Sequence, residues 1–403
     1  MIDWPAWPGF VKGLQVTALD LLALAIFITL PRARHSVPFR FVMGLYFFAV
    51  VLSIFTAQVP MAAVFYAWQF ARTFFIYVVV ARACSDERVP TAILTGLAIG
   101  LSYQAVLAIW QRFGLGMLQA TGSFGHQNLL GLASEFAIFP LFALLLAGKR
   151  GWPMIAAPAA GIIIAVLTTS RGALGFTAIG FVLVFVMSSM RGWTARKASV
   201  LFAGVFTIIL LAPIAYSSFE KRFAAEPVAA QGEQDERVVF EKAASLILSD
   251  HPFGVGANNY VVAGNSGGYF ERAGVPWGGG QRNALVHNVY WLAAAETGYF
   301  GVFAFALLML RAITTTFRCS WQNQKDPRGD LLLGVGVSLL IVAGHISYDW
   351  GFFTYNVQYM LAMMVGLVAG LSEQLGYWRS AKRRVTQHDT QFAPESLAQI
   401  RSR

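Results

Sequence analysis

Charged residues are scarce in this chain, and their scarcity argues against a soluble domain. Asp, Glu, Lys and Arg make up 12% of the 403 residues, and hydrophobic residues make up 57%. The charged fraction is about half that of a typical soluble domain, and the mean hydropathy is +0.58. Apolar runs of roughly 17 to 25 residues, long enough to cross a bilayer as helices, follow one another along the chain. The composition therefore predicts a polytopic membrane protein.

Cysteines and recognisable cofactor motifs are also rare or missing. The chain has 2 Cys residues, which are too few for a disulfide framework or a cysteine-based metal motif. It lacks a glycine-rich phosphate-cradling loop, so a bound nucleotide of that kind is not expected. Glu233 and Asp235 have a spacing that can hold a divalent ion, but this acidic run adjoins Ala, Pro and Gly and is interpreted as a solvated loop. We predict neither a metal nor another cofactor.

The N-terminus lacks the basic region and the small-residue cleavage site of a signal peptide, so its apolar run is predicted to be a membrane span. The apolar runs are continuous rather than alternating, which favours helices over strands. We predict an all-α protein with about 11 to 12 transmembrane helices. The spans are expected at about residues 14–30, 40–57, 61–81, 91–111, 128–147, 153–169, 172–190, 198–216, 286–310, 331–348 and 352–372.

The distribution of Lys and Arg predicts the orientation, because basic residues are retained on the cytoplasmic side. Six alternate connections contain twenty of the 30 basic residues: Arg32, Arg34 and Arg40; Arg82 and Arg88; Lys149 and Arg150; Arg191, Arg196 and Lys197; Arg311, Arg318, Lys325 and Arg328; Arg379, Lys382, Arg383, Arg384, Arg401 and Arg403. These connections are predicted to be cytoplasmic, and the N-terminus and the remaining connections to lie outside. The net charge of +10 is then explained by topology and by attraction to anionic membrane lipids, and no nucleic-acid partner is expected.

This topology divides the chain into four parts. Residues 1–216 and 286–372 are predicted to form transmembrane helices, and residues 373–403 a basic cytoplasmic tail. Residues 217–285 form the one long outer connection and are predicted to be an extramembrane domain. Within it, DERVVFEKAASLILSD has the pattern of an amphipathic helix lying near the membrane surface.

Four segments on the predicted outer side carry a family resemblance. In chain order they are GSFGHQNLLG, TTSRGALGF, DERVVFEKAASLILSDHPFGVGANNY and HNVYWLAAAETGYFG. They resemble the signature segments of the O-antigen ligase and O-antigen polymerase superfamily of bacterial inner-membrane glycosyltransferases. The sequence departs from the family at His126 and Gln127, where many relatives have Asn and Pro.

The resemblance implies a metal-independent, integral-membrane glycosyltransferase architecture of the GT-C-like type, with one periplasmic domain. It implies an undecaprenyl-diphosphate-linked O-antigen as donor, and a Gram-negative inner membrane with the active site on the periplasmic side. Among the acceptors we favour a lipid A core oligosaccharide, as for a ligase in lipopolysaccharide biosynthesis, with inversion at the anomeric carbon. An O-antigen polymerase and a protein O-oligosaccharyltransferase differ only in the acceptor and remain alternatives. A transporter of polyprenyl-linked glycans is the alternative from another class, but internal repeats are not evident.

Transfer from a lipid diphosphate needs cations for the leaving group and a base for the incoming hydroxyl. Arg171 and Arg237 are the predicted diphosphate clamp, because Arg stays charged and presents a planar fork to phosphate oxygens. Without the resemblance, Arg171 would be an interfacial arginine and Arg237 a solvated helix charge. His287 is the predicted general base, since His titrates near neutral pH, and Asn288 is assigned to substrate binding. The alternative is that His287 is a helix cap or a hydrogen-bonded core residue.

Three further ionisable residues lie within or beside apolar runs, where a charge usually has a partner. Arg72 either binds the diphosphate from below, as a substrate-binding residue, or pairs with an internal carboxylate such as Glu135. His345 and Asp349 are expected to support the site or the fold from behind the reacting groups.

The polar cluster TGSFGHQN interrupts two apolar runs. Gly122 and Gly125 are expected to allow a tight turn, and His126, Gln127 and Asn128 are assigned to bind phosphate or sugar hydroxyls near the start of the next helix. The alternative is that these three residues only cap that helix.

Overall fold

The computed structural model describes residues 11–30, 37–225, 229–277 and 281–378, and these residues form helices and connections without any strand. The predicted all-α class is confirmed. The α-helices, numbered in chain order, are α1 Ala18–Thr29, α2 Arg40–Leu52, α3 Pro60–Ala83, α4 Arg88–Ile109, α5 Gln127–Leu146, α6 Pro153–Leu167, α7 Arg171–Met190, α8 Ala195–Ala225, α9 Ala229–Asp250, α10 Tyr260–Ser266, α11 Tyr269–Ala273, α12 Val289–Gln322, α13 Pro327–His345 and α14 Tyr355–Gln374.

Each of the eleven predicted spans coincides with one of these helices. Within the described ranges, 7 helices are long and apolar enough to cross a membrane, namely α3, α4, α5, α7, α12, α13 and α14. Three apolar helices are shorter: α1, α6, and α2 together with the turn that follows it, Arg40–Thr56. These lengths and compositions are those of a polytopic membrane protein.

Two helices extend beyond the predicted spans. α8 continues to Ala225, past the expected boundary at 216, and α12 continues to Gln322, past the expected end at 310. In α12, Thr314 and Thr316 donate hydrogen bonds to carbonyl oxygens one turn earlier, at 2.7 and 2.6 Å. The helix continues after the apolar run ends, because the backbone hydrogen bonds of a helix do not depend on apolar side chains.

Helix α5 lies at the centre of the bundle, and 94% of the residues in its most apolar stretch are buried. It packs against α6, α7 and α13, while α3 packs against α14 and α12 against α2 and α13. Gly334 permits the close contact of α13 with α5, since a Cβ atom there would lie 2.5 Å from the Phe139 carbonyl oxygen. Small residues of this kind let membrane helices approach closely.

Helix α12 is interrupted at Gly298, which has φ 69° and ψ −173° inside the helix. The segment before α10 fits against this break. Tyr299 N donates to the Pro252 carbonyl at 3.0 Å, and Val255 N donates to the Ala295 carbonyl at 3.0 Å. The Glu296 carboxylate accepts from Tyr260 N, at the start of α10, at 3.1 Å. Backbone hydrogen bonds therefore attach the outer connection to the membrane helix.

The predicted amphipathic helix is present as α9, which also includes the run around Glu233 and Asp235 that was expected to be a loop. Its buried residues, Phe240, Ala243, Ala244, Ile247 and Leu248, recur at helical spacing. This face packs against α11 and α12, so in the described structure it is covered by protein. At the end of α9, Arg272 binds Asp250 at 2.8 Å and lowers the pKa of that carboxylate.

Some predictions concern residues that the structure does not describe. Arg32 and Arg34 in the first basic connection lie outside the described residues. The same holds for residues 379–403, which make up most of the predicted basic tail.

Candidate functional site

The start of α7 presents Arg171, the first predicted clamp residue. The Ser170 hydroxyl caps the helix by accepting a hydrogen bond from Ala173 N at 3.2 Å, as polar N-cap residues commonly do. Arg171 is the first residue of the helix and is exposed. A Cβ atom added at the next residue, Gly172, would lie 3.2 Å from His345 Nε2. The first turn of α7 therefore lies directly against His345.

His345 is paired with Glu135 in the interior of the bundle. Its Nδ1 lies 2.8 Å from Glu135 Oε1, and the two side chains are 2% and 0% exposed. The prediction that ionisable groups at this depth have partners is confirmed, but Glu135 was proposed as a partner for Arg72, which is wrong. The pair joins the first half of α5 to the last residue of α13.

Arg72 has a different carboxylate partner, which the sequence analysis did not identify. Its Nη2 and Nε lie 2.6 and 3.0 Å from Asp20 Oδ2, so the alternative of an internal ion pair is correct. Tyr359 donates a hydrogen bond to the other oxygen of Asp20, and its ring lies 5.3 Å from the guanidinium of Arg72. Arg72 thus ties α1, α3 and α14 together, and these contacts give no support to a role in substrate binding.

The last residue of α13 and the turn after it, residues 345–349, are called the junction segment below. Its Tyr348 ring is 6.3 Å from the Phe176 ring of α7 and 5.9 Å from the guanidinium of Arg237 on α9. Its Asp349 is buried, and Oδ1 accepts from Gly351 N at 2.6 Å. Within the described part of the chain, Asp349 Oδ2 and Glu135 Oε2 are buried without a hydrogen-bond partner.

The start of α12 is attached to the same segment. Val289 N donates to the carbonyl of Ile346, in the junction segment, at 2.9 Å. Asn288, rather than His287, is the N-cap, and its Oδ1 accepts from Tyr290 N and Trp291 N at 3.1 and 3.3 Å. The capping alternative proposed for His287 is therefore wrong.

Asn288 also connects α12 to the helix that carries Arg237. Its Nδ2 donates to Glu241 Oε1 at 3.1 Å, and Glu241 lies one turn after Arg237 on α9. Most of the amide group is thus used within the protein, and contact of Asn288 with substrate stays a prediction. His287, half-buried, precedes this cap.

The loop before α5 is held by glutamine side chains from the preceding helical segment. Gln111 Oε1 accepts from Thr121 N and Gly122 N at 3.0 and 2.8 Å, and Gln104 Oε1 accepts from Ser123 N at 2.9 Å. Gly122 and Gly125 have φ of 55° and 74°, so the predicted glycine-dependent turn is confirmed.

His126 is the N-cap of α5, and its Nδ1 accepts from Asn128 N at 3.3 Å. His126 thus caps the helix, and its contact with substrate stays a prediction. Its ring is 6.0 Å from the Trp350 ring, directly after the junction segment. Gln127 and Asn128 are half-buried in the first turn of α5, and their contact with substrate stays a prediction.

The predicted site residues thus separate into two groups. Arg171, Arg237, His287 and Asn288 lie on three elements that all contact the junction segment, and His126 lies beside it, whereas Arg72 belongs to the α1–α3–α14 contact. Within the described ranges, no three His, Cys, Asp or Glu side chains are arranged to hold a metal ion. A small cavity of about 10 Å³ beside Glu296 has room for about one water molecule, so it is not a glycan pocket.

Two residues that shape this region were absent from the predicted site, and Glu135 was assigned to a different partner. Glu241 and Tyr348 contact Asn288 and Arg237, respectively, and Glu135 anchors His345. Glu135 and His345 shared one detectable signal: both are ionisable and close to the predicted outer ends of apolar runs. Matching their depths in the membrane would have suggested the pair.

Comparisons with known proteins identify related chains. Residues 156–306 match the family model described as O-antigen ligase, a range that includes Arg171, Arg237, His287 and Asn288. The exopolysaccharide production protein ExoQ of Rhizobium meliloti (strain 1021) is 24% identical over 386 residues, with coverage of 83% of this chain and 84% of the relative. These matches confirm the resemblance to the O-antigen ligase superfamily.

Proposed function

We propose that this protein is a glycosyltransferase that moves a glycan from undecaprenyl diphosphate to a sugar hydroxyl at the periplasmic face of a bacterial inner membrane. The observation that carries the proposal is the convergence of the elements bearing Arg171, Arg237 and His287 on the junction segment. The distribution of Lys and Arg supports the proposal, because it predicts that this end of the bundle faces the outer side.

These three side chains suit the chemistry of the transfer. The hydroxyl oxygen of the acceptor attacks the anomeric carbon while the bond from that carbon to the diphosphate oxygen breaks. His287 takes the hydroxyl proton, and Arg171 and Arg237 bind the diphosphate as it leaves with the bonding electrons. Attack opposite the leaving group inverts the anomeric configuration, which NMR of the product linkage would measure. The lipid diphosphate donor supplies the free energy for transfer.

We favour ligation, in which O-antigen polysaccharide is transferred to a sugar of the lipid A core. The match of residues 156–306 to the model described as O-antigen ligase supports glycan transfer of this superfamily, and the acceptor is inferred from the architecture of the chain. The predicted outer domain is moderate in size and the whole chain is compact, which favours ligation over polymerisation.

Polymerisation is the second candidate, because the relative is named for the production of an exopolysaccharide. The match with the exopolysaccharide production protein covers 83% of this chain. In that case the acceptor would be the end of another lipid-linked glycan, and the donor half of the site would be the same.

Reconstitution in liposomes with lipid-linked glycan and a choice of acceptors tests the proposal. The unaltered protein is expected to transfer glycan to the lipid A core oligosaccharide, and extension of the donor glycan instead would favour the polymerase.

Arg237→Ala and His287→Ala are expected to reduce transfer by ~10²-fold or more, the scale of losing one transition-state contact. Arg272→Ala, which removes an exposed arginine paired with Asp250, is the matched control and should retain activity. Folded variants that transfer at the normal rate would show that the site assignment is wrong.

The reaction is also proposed to need no metal. Transfer is expected to continue in saturating EDTA, because arginine side chains supply the positive charge at the diphosphate. Loss of activity that added magnesium restores would contradict this proposal.

A further inference from the structure

Three elements of the candidate site depend on one short stretch of backbone. α7 contacts the junction segment through Gly172 and Phe176, α9 through Arg237, and α12 through Val289 N. The position of the junction segment therefore influences the positions of Arg171, Arg237 and His287 together.

A buried polar pair fixes the first residue of this segment. His345 is bound through Nδ1 to Glu135 Oε1 at 2.8 Å. The Glu135 side chain determines the orientation of the ring, because the hydrogen bond holds Nδ1 on the side of α5 and so directs Nε2 towards α7. Glu135 is well placed as an anchor, since α5 is the most buried of the candidate membrane spans.

The imidazole ring transmits this orientation to α7. The Phe176 ring stacks on it at 4.8 Å between centroids with an interplanar angle of 21°. A Cβ atom placed at residue 172 would lie 3.2 Å from Nε2 of His345. The ring thus lies against the first two turns of the helix whose first residue is Arg171.

Tyr348 transmits the same position to α9. Its ring centroid lies 6.3 Å from that of Phe176 and 5.9 Å from the guanidinium carbon of Arg237. Arg237 and Asp349 are also close enough to His345 to interact with it electrostatically. His345 is 1% exposed, so it acts through these neighbours rather than by touching a substrate.

We propose that Glu135 and His345 are positioning residues, whose buried hydrogen-bonded pair sets the junction segment and thereby places Arg171, Arg237 and His287 for transfer. The inference rests on the proposed glycosyltransferase function. It assigns to Glu135, a residue outside the predicted site, a role in the rate of the reaction. Small displacements of positioned groups are known to cost about 10²-fold in rate.

The first experiment measures kcat and KM for the donor in Glu135→Ala and Glu135→Gln. Glu135→Ala is expected to lower kcat by about 10²-fold with little change in KM, as for contacts made only in the transition state. Glu135→Gln keeps an oxygen that accepts the Nδ1 proton and is expected to restore kcat to within about fivefold of the parent. Ser338→Ala is the matched control, because Ser338 bonds the Glu135 carbonyl from α13 at 2.7 Å without contacting the carboxylate, and it should retain kcat.

A second pair of variants tests the same idea without removing a buried charge. Gly172→Ala places a methyl group against His345 Nε2, where the neighbour must shift by a few tenths of an ångström. Alanine favours a helix over glycine, so the variant should fold while kcat falls by about fivefold to tenfold, a fraction of the ~10²-fold cost of a larger displacement. Gly175→Ala lies on the same helix with open space around its Cβ position and should leave kcat unchanged.

A double-mutant cycle separates positioning from general damage. In an Arg237→Lys background, Glu135→Ala is expected to cost less than it does in the parent, because the contact it positions is already weakened. Additive losses, a normal kcat in Glu135→Ala or Gly172→Ala, or an equal loss in Ser338→Ala would overturn the proposal. If Glu135→Ala does not accumulate in the membrane, the comparison of kcat between Gly172→Ala and Gly175→Ala tests the proposal. A parent protein that transfers no glycan to any acceptor would overturn the proposed function and this inference together.

Discussion

Several ionisable side chains lie buried in the helix bundle because each has a partner of complementary charge, whether or not it is near the candidate site. Arg72 and Asp20 form one pair and His345 and Glu135 another. Both pairs join helices that are far apart in the sequence, because leaving one charge unpartnered in a membrane interior would be costly. The first pair stabilises the helix bundle, and only the second lies beside the candidate site.

The Arg72–Asp20 pair gives a prediction about stability. Asp20→Asn is expected to lower the free energy of unfolding by about 3 kcal/mol, the scale of breaking a buried pair while leaving the other charge in place. The double variant Asp20→Leu with Arg72→Met should recover most of this loss, since replacing both charges removes the unpaired ion. Thermal unfolding in detergent measures both.

Glu87→Gln is the control for that experiment. Glu87 lies 3.6 Å from Arg328 and is 82% exposed, and exposed pairs contribute at most about 1 kcal/mol. An effect of Glu87→Gln as large as that of Asp20→Asn would contradict the distinction between a buried and an exposed pair.

At the scale of elements, the break in α12 determines how the outer segment meets the membrane helices. A continuous helix would leave no free N–H at Tyr299 for the Pro252 carbonyl. The positive φ of Gly298 creates the break, and the buried carboxylate of Glu296 then caps α10. The segment leading into the outer helices is therefore attached at a point near the start of α12, which is also the part that contacts the junction segment.

Gly298→Ala tests this attachment. The alanine methyl group would overlap the Pro252 carbonyl oxygen, and the residue would also keep a φ that side chains rarely adopt. We expect protease cleavage in residues 251–259 to become faster, with a fall in thermal stability of about 2 kcal/mol or more, given the 1 to 3 kcal/mol typical of a strained φ and the added overlap. Gly44→Ala in α2 is the control, because there is open space around its Cβ position, and it should stabilise the protein or leave its stability unchanged. Equal resistance to protease cleavage in the two variants would contradict the role of the break.

For the whole molecule, the proposed function depends on which side of the membrane the junction segment faces. The apolar helices support a membrane protein, while the side is a prediction from Lys and Arg. Cys84 and Cys319 are buried, so cysteines introduced at exposed positions can be labelled over a low background.

The labelling prediction uses one position on each predicted side. In cells with a permeabilised outer membrane, Ser123→Cys is expected to react with a membrane-impermeant maleimide, while Lys149→Cys should react only after the inner membrane is opened. Both native residues are exposed, so burial does not account for a difference. The reverse pattern would place the candidate site in the cytoplasm and contradict the use of a periplasmic donor.

The sequence alone predicted the helical class, the eleven helices that coincide with the expected spans, and the outer amphipathic helix. These features follow from local patterns, since the length of an apolar run and the spacing of apolar residues are properties of neighbouring residues. It also placed Arg171, Arg237 and His287 on connections of the same predicted side, and their elements do meet.

Only the tertiary structure decided which groups are partners. Arg72 could have paired with any carboxylate at its depth, and Asp20 rather than Glu135 is its partner because α1, and not α5, packs beside it. In the same way, the Gly298 break, the protein-covered face of α9 and the role of His126 as a cap depend on contacts between distant segments. Helix formation is governed by nearby residues, whereas the choice of neighbouring helices and their relative depth depends on packing of the entire bundle.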